Sequence, residues 1–458
     1  MPEPVVLGGG APLDWATYEA VVHGHAPVEF GDRSAALASR AALEARIAAG
    51  DVIYSVTTGY GAEAGRALPP DKLAEVQRNT VRSHAVGVGD DAPEPVVRGM
   101  MLLTAQAIAQ GPPGYRPEIG EAYVRALNAG VVPRVPMQGS QSASDLIPNA
   151  HLALGVLDVD TLEAKEGGVI NSAAFSVALA FEAVREAQAL VEGAERVAAM
   201  TLQALGGHAE AFDERLVGLR PHPGALASAA HMRSLLEGSK LVGTSDRPHD
   251  PFSLRCLPQI HGAVRDQISF AREVVARELC AVTDNPVVLS GGEVLSGGLF
   301  HGEPLALPMD GVSLALTEVA TISVRRSQHL VGGALGLPAR LVTDPSRLGL
   351  LMLPASAAGL LSEARLRATA ASRESVPVDV MEDHVAMSGV AARQVLEVGE
   401  LVRKVVAVEL VCGGVAVDLV GVALASPAVR GLHARLRKVV AAHRYDGRTD
   451  PTVAAVVV

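Results

Sequence analysis

The sequence predicts a mainly α-helical protein, with a long central helical bundle and a smaller mixed N-terminal region. Three observations carry that expectation. The second half holds one run after another with apolar residues at helical spacing. Those runs are apolar on more than one face, which places them inside a bundle or between subunits. The first half instead alternates short helical runs with turn-rich links. The division falls near residue 170, with 1–170 as the N-terminal region and 171–458 as the long-helix bundle and oligomerisation core.

Taken in order, helices are predicted over 35–50 (AALASRAALEARIAAG) and 70–86 (PDKLAEVQRNTVRSHAV), separated by links such as TTGYGAEAG and GDDAPEP. From Pro93 to Ala129 a helix, a GPPGYRP break and a second helix follow. The stretch 130–149, GVVPRVPMQGSQSASDLIPN, is irregular, rich in Pro, Gly and Ser, and nearly uncharged. That composition suits packing against a site better than exposure to solvent. Long helices are predicted over 173–205, 262–282, 310–335, 355–372 and 384–411. The segment 405–427 is long enough to tempt a membrane-spanning reading. Glu409 and Asp418 lie inside it and would be costly at mid-bilayer, so it reads as a buried bundle helix.

Composition narrows the function. The chain has 458 residues, enough for roughly three domain-sized units or one interleaved fold. It carries 39 Lys+Arg against 50 Asp+Glu, a net charge of −11, which argues against nucleic acid as the main partner. Cys256, Cys280 and Cys412 lie far apart without a CxxC pair. This excludes a disulfide scaffold and a thiolate zinc site and fits a reducing compartment. No basic run followed by an apolar core opens the chain, so no signal peptide is read and a cytoplasmic location is expected. No membrane partner is expected either.

Generic catalytic motifs are missing. GYGAEAG lacks dinucleotide-fingerprint spacing, and GSQSASD is not a nucleophile elbow. No Walker A loop or HExxH is present. The 14 histidines are scattered, with His23 and His25 the only close pair, so no metal site is expected. Polar residues in apolar settings stand out instead: Tyr54 in DVIYSVTTGYG, Arg255 in PFSLRCLPQ, and Glu382, Asp383 and His384 in VPVDVMEDHVAM. A phenol, a guanidinium and a carboxylate can together bind a small carboxylate and move protons. A buried Tyr and a structural Arg–Glu pair would give the same pattern.

Nine collinear stretches carry a resemblance. They are IYSVTTGYG (53–61), LAEVQRNTVRSHAVGVG (73–89), RPEIGEAYVRALNAGVVPRVPMQGS (116–140), LGGHAEAF (205–212), LRPHPG (219–224), SLRCLPQ (253–259), ELCAVTDNPV (278–287), FHGEPLAL (300–307) and EDHVAM (382–387). Through them the chain resembles the aromatic amino-acid ammonia-lyase family of histidine, phenylalanine and tyrosine ammonia-lyases and related aminomutases. The resemblance implies a mostly helical homotetramer with active sites shared between subunits. It also implies removal of ammonia by an electrophilic 4-methylideneimidazol-5-one ring, formed within the chain from an Ala-Ser-Gly triad.

At the loop that usually reads GSVGASGDLAP, this chain reads GSQSASDLIP (139–148). Ala143 and Ser144 match, Asp145 takes the place of the Gly, and the loop is one residue shorter. The resemblance further assigns Tyr54 as the catalytic base, followed by Ser55 in place of the usual Gly. It places His84 and Asn171 in the substrate pocket and makes Arg255 the carboxylate-binding group. Glu382 matches the acidic residue of the histidine-lyase motif. Phe252 replaces a catalytic Tyr, Leu299 an Asn, and Leu350 stands near an aromatic position.

These departures predict a divergent member with a disrupted triad, working without the ring and without any other cofactor. In that reading Tyr54 moves a proton, Arg255 anchors a small carboxylate, and Glu382 or His84 is the partner acid. Elimination, conjugate addition, cyclisation or isomerisation would all use this apparatus. The alternatives are a conventional, histidine-like ammonia-lyase and a non-catalytic scaffold or binding protein.

Overall fold

The computed structural model describes residues 3–9, 13–333, 335–373, 381–441 and 450–458. It is mainly helical, a large helical bundle with a small mixed N-terminal region, as the apolar periodicity predicts. The chain forms two compact units, each assembled from three separate stretches of sequence.

The first unit comprises Met1–Glu182, Arg272–Met309 and Ala370–Arg393. Its strands are short and paired in twos. Val5–Leu7 runs parallel to Val28–Phe30, while Val88–Asp91 and Val287–Val288 run antiparallel to Pro136–Gln138 and Val294–Leu295. Around them lie helices Ser34–Ala48, Leu73–His84, Glu94–Gln110, Pro117–Asn128 and Leu146–Val156. Glu94–Gln110 is buried along most of its length and ends where Gly111 turns to a φ of +100°, a conformation open to glycine. Arg116 precedes the next helix, whose first residue is Pro117; a proline there lacks only an N–H that would be unpaired anyway.

The second unit comprises Ala183–Ala271, Asp310–Thr369 and Gln394–Val458. It holds most of the long helices Ala174–Ala204, Leu257–Glu278, Glu303–Val331 and Ser388–Val420, together with Pro223–Leu236, Leu353–Arg367 and Pro427–Val439. Glu303–Val331 starts earlier than expected. Pro304 lies in its first turn, where no hydrogen bond is lost, and Pro308 costs only one. Among the described residues, two helical stretches, Glu166–Ala204 and Glu303–Val331, are long and apolar enough to cross a membrane. Their apolar windows are 89% and 67% buried inside the protein.

Within the segment 405–427, residues up to Val420 form the last part of core helix Ser388–Val420, and the chain turns at Gly421. Glu409 is wholly buried and receives two hydrogen bonds from the equally buried Arg326, at 2.6 and 2.9 Å, and a third from Thr201 at 2.7 Å. Asp418 lies nearer the helix end and pairs with His433 and Arg437. Glu195 is a second buried carboxylate. Burial pushes its pKa up, but hydrogen bonds from His231 and Arg265, with the His261 ring nearby, hold it well below the ordinary range.

Candidate active site

The irregular loop 139–145 is the organising feature of the first unit. Its polar composition becomes intelligible once its partners are named. Asp145 N–H donates to the Ser172 carbonyl at 2.9 Å, and Ser144 Oγ points to the same oxygen at 3.4 Å. Gly302 N–H donates to the Ser142 carbonyl, Met387 N–H to the Gln141 carbonyl at 2.9 Å, and Gly389 N–H to Ser142 Oγ at 3.0 Å. Ser388 Oγ reaches Ser176 Oγ at 2.9 Å. Three distant sequence segments, 171–176, 299–303 and 381–389, are thereby gathered on one loop.

Asp145 is fully buried and holds the start of helix Ala174–Ala204. Its carboxylate accepts from Ser176 N–H at 2.7 Å and Ser176 Oγ at 3.0 Å, and also from Ser140. Burial outweighs these bonds and raises its pKa from 3.8 to about 6. Asn171 closes the short turn Glu166–Ile170 and donates its amide to the Asn285 carbonyl at 2.9 Å. The neighbouring Asp284 forms a buried pair with Lys165 at 3.0 Å. Asn171 also lines a small cleft with Tyr115, Glu278 and Asp284.

Tyr54 is half-buried, and its hydroxyl oxygen accepts the Gly61 N–H at 3.2 Å. Gly61 sits at a φ of +52°, and a Cβ placed there would lie 3.1 Å from Glu382 Oε1. The Tyr54 turn and the Glu382 segment, 328 positions apart in sequence by 382 − 54, therefore meet at Gly61. His84 ends helix Leu73–His84, half-buried, with Nδ1 at 2.7 Å from the Thr80 carbonyl. Tyr60, which sequence reading passed over, is largely buried, and desolvation raises its hydroxyl pKa with a smaller contribution from Tyr54.

Arg255, Phe252 and Leu350 belong to the second unit. The Arg255 guanidinium lies 4.8 Å over the Phe252 ring, and both side chains are exposed. Leu350 is buried and donates its N–H to the Arg340 carbonyl.

Ala143, Ser144 and Asp145 are the residues from which a methylideneimidazolone would have to form. Ser144 carries the hydroxyl whose loss creates the exocyclic alkene. Its φ of +148° shows the backbone already turned into a region that glycine prefers. Asp145 supplies the amide nitrogen, and its side chain is drawn off to Ser176 and Ser140. The loop fits the group at Ala143 and Ser144, while at the third position an anchored Asp145 replaces glycine. Cyclisation there requires the Asp145 N–H to leave the Ser172 carbonyl.

A family model described as aromatic amino acid lyase matches residues 13–158 and 157–438. Histidine ammonia-lyase of Sorangium cellulosum is 39% identical over 94% of this chain and 92% of its own length. The crystal structure of histidine ammonia-lyase from Trypanosoma cruzi superposes with a TM-score of 0.88 at 30% identity, covering 99% of this chain and 92% of that one. The tyrosine aminomutase of Streptomyces globisporus superposes with a TM-score of 0.91 at 29% identity, covering 99% and 96%.

These similarities correct the expectation of a cofactor-free catalyst with a disrupted triad. Relatives named histidine ammonia-lyase align with 83–95% of the chain at 37–39% identity. That continuity supports conventional, methylideneimidazolone-dependent lyase chemistry.

Proposed function

The chain belongs to the aromatic amino acid lyase family, and from that premise we propose that it is a conventional ammonia-lyase acting on histidine or a close imidazole analogue. The carrying observation is the 39% identity to a histidine ammonia-lyase over 94% of the chain. When formed from Ala143-Ser144-Asp145, the methylideneimidazolone supplies the electrophile that makes the amino group a leaving group.

The remaining work falls to side chains. Tyr54 takes the β-proton. Its oxygen is held by the Gly61 N–H, so the hydroxyl proton can be exchanged without the ring swinging away. Glu382, held close to Gly61, is an acceptor for the imidazole N–H or the departing ammonium. His84 shares that role, and Asn171 orients the substrate from the turn before helix Ala174–Ala204. Arg255 clamps the substrate carboxylate with its planar fork, and stacking on Phe252 steadies the guanidinium. Leu350 contributes an apolar wall. We further propose a homotetramer with shared active sites, in keeping with helices apolar on several faces, and a cytoplasmic location, in keeping with the free cysteines.

The test pairs turnover with intact mass. Purified protein given L-histidine should release ammonia and a conjugated acrylate that absorbs in the near ultraviolet. Its mass should fall short of the translated sequence by two waters. An unaltered mass together with no turnover of histidine, phenylalanine or tyrosine would overturn the proposal.

A further inference from the structure

We propose that His301, Glu303 and His384 form a binding site for one divalent transition cation of the zinc and cobalt class. Each residue offers one ligand atom, and the three atoms lie within 4.8 Å of one another. His301 Nε2 and His384 Nδ1 are 3.1 Å apart, with ring centroids at 5.1 Å. Metal–nitrogen bonds of about 2.0–2.1 Å in a tetrahedral site put two ligand nitrogens about 3.3 Å apart, so this pair needs almost no movement. All three residues lie in the first unit.

A second observation points to a ligand. Glu303 Oε2 is buried without a hydrogen-bond partner among the described residues. A carboxylate oxygen stripped of water and left without a donor is costly, and a cation beside it removes that cost. The site remains reachable, because His384 is exposed. Two imidazoles and one carboxylate suit zinc, cobalt or nickel and disfavour magnesium and calcium, which take all-oxygen cages. Three protein ligands leave a fourth position for water.

Binding has a definable local consequence. In the metal-free arrangement His301 Nδ1 accepts the Glu303 N–H at 3.3 Å. A metal on Nε2 moves the ring proton to Nδ1 and releases that long contact. The cation would tie the Phe300–Glu303 turn to the strap that carries Glu382 two residues before His384. The same strap reaches the loop through Met387 and Gly389. His301 and His384 are 83 residues apart in the chain, and neither sits in a short metal motif. The inference does not rest on the lyase reading.

The test uses the full chain after chelator treatment, titrated with Zn²⁺ by calorimetry and with Co²⁺ by visible absorption. The expected result is one ion per chain at micromolar or tighter affinity, with an intensified Co²⁺ band typical of low coordination number. Glu303→Gln and His301→Ala should each weaken binding at least about tenfold, and magnesium should not compete. The double variant His301→Ala/His384→Ala provides the background from the other histidines. Identical isotherms for the wild type and this double variant would overturn the site, as would a Co²⁺ spectrum unchanged from the aqueous ion. Glu303→Gln keeps the side-chain shape, so it remains informative if a histidine variant fails to fold. Loss of histidine turnover has no bearing on the stoichiometry, which separates failure of this site from failure of the proposed activity.

Discussion

The amide of Gly61 donates to the hydroxyl oxygen of Tyr54 at 3.2 Å, and the same residue leaves just enough room for Glu382. Both contacts exploit the missing side chain. A Cβ would lie 3.1 Å from Glu382 Oε1, at a φ of +52° that costs a non-glycine residue about 1–2 kcal/mol. Gly61→Ala should therefore lower stability by about that amount and displace the carboxylate. Turnover should fall more than the stability change alone explains. Tyr54→Phe separates the two effects: it should reduce turnover by about 10²–10⁴-fold while the unfolding midpoint stays within a degree or two. Equal losses of activity and stability in both variants would mean that Tyr54 is structural.

Ser55 adopts a φ of +57° immediately after Tyr54, in the left-handed region where a Cβ is strained. Its N–H donates to Thr58 Oγ1, and its carbonyl accepts from the fully buried Gln77, so the turn is held from both sides. Ser55→Gly keeps both backbone contacts and removes the strain. Denaturant titration should show a gain of up to about 1 kcal/mol. A loss would mean that the buried Ser55 side chain contributes packing that outweighs the backbone strain.

Helices were legible because their signal is local. Apolar spacing alone marked Ser34–Ala48, Leu73–His84 and Ala174–Ala204 closely, whereas Glu303–Val331 begins seven residues before the span read from it and Ser388–Val420 ends nine residues after. Loop 139–145 was legible as a compositional oddity and, through the family resemblance, as the counterpart of the ring-forming loop, but its contacts with Ser172, Gly302, Met387 and Gly389 were not. No periodicity reports such contacts. The buried carboxylates were half legible. Glu409 was recognisable as unfit for lipid, but its partner Arg326 lies 83 residues away on another helix. The lost glycine at Asp145 and the loop's one-residue shortening are visible in sequence, but not that the Asp145 side chain secures the start of helix Ala174–Ala204.

That anchoring role predicts a pH dependence. Asp145 has a pKa near 6 in the folded protein against an ordinary 3.8. A raised carboxyl pKa means that the folded state keeps its proton longer than the unfolded chain. Between pH 3.8 and about 6 the folded state binds more protons, so this residue makes stability fall as pH rises through that window. Above it the penalty stays constant at about 3 kcal/mol. Asp145→Asn retains an oxygen for the Ser176 N–H and cannot titrate. Urea midpoints measured across this window should thus decline less steeply in the variant than in the wild type. Parallel curves would show that Asp145 is ionised throughout.

Arg326 and Glu409 make the sharpest stability prediction, because both are wholly buried and each is the other's charge partner. Removing one partner strands the other's charge in the core, so Glu409→Gln should cost about 3–5 kcal/mol. Replacing both with apolar residues of similar volume, as in Arg326→Met/Glu409→Leu, should recover most of that loss. The pair has a second attachment, however. Arg326 Nη1 also donates to the Ser253 carbonyl at 3.2 Å, inside the short helix Phe252–Arg255. The apolar double variant removes that tie while restoring the core. It should therefore fold well and yet bind substrate more weakly, with KM rising severalfold and kcat changing less, because Arg255 loses part of its support. Unchanged KM in a stable double variant would show that the 252–255 turn is held without Arg326.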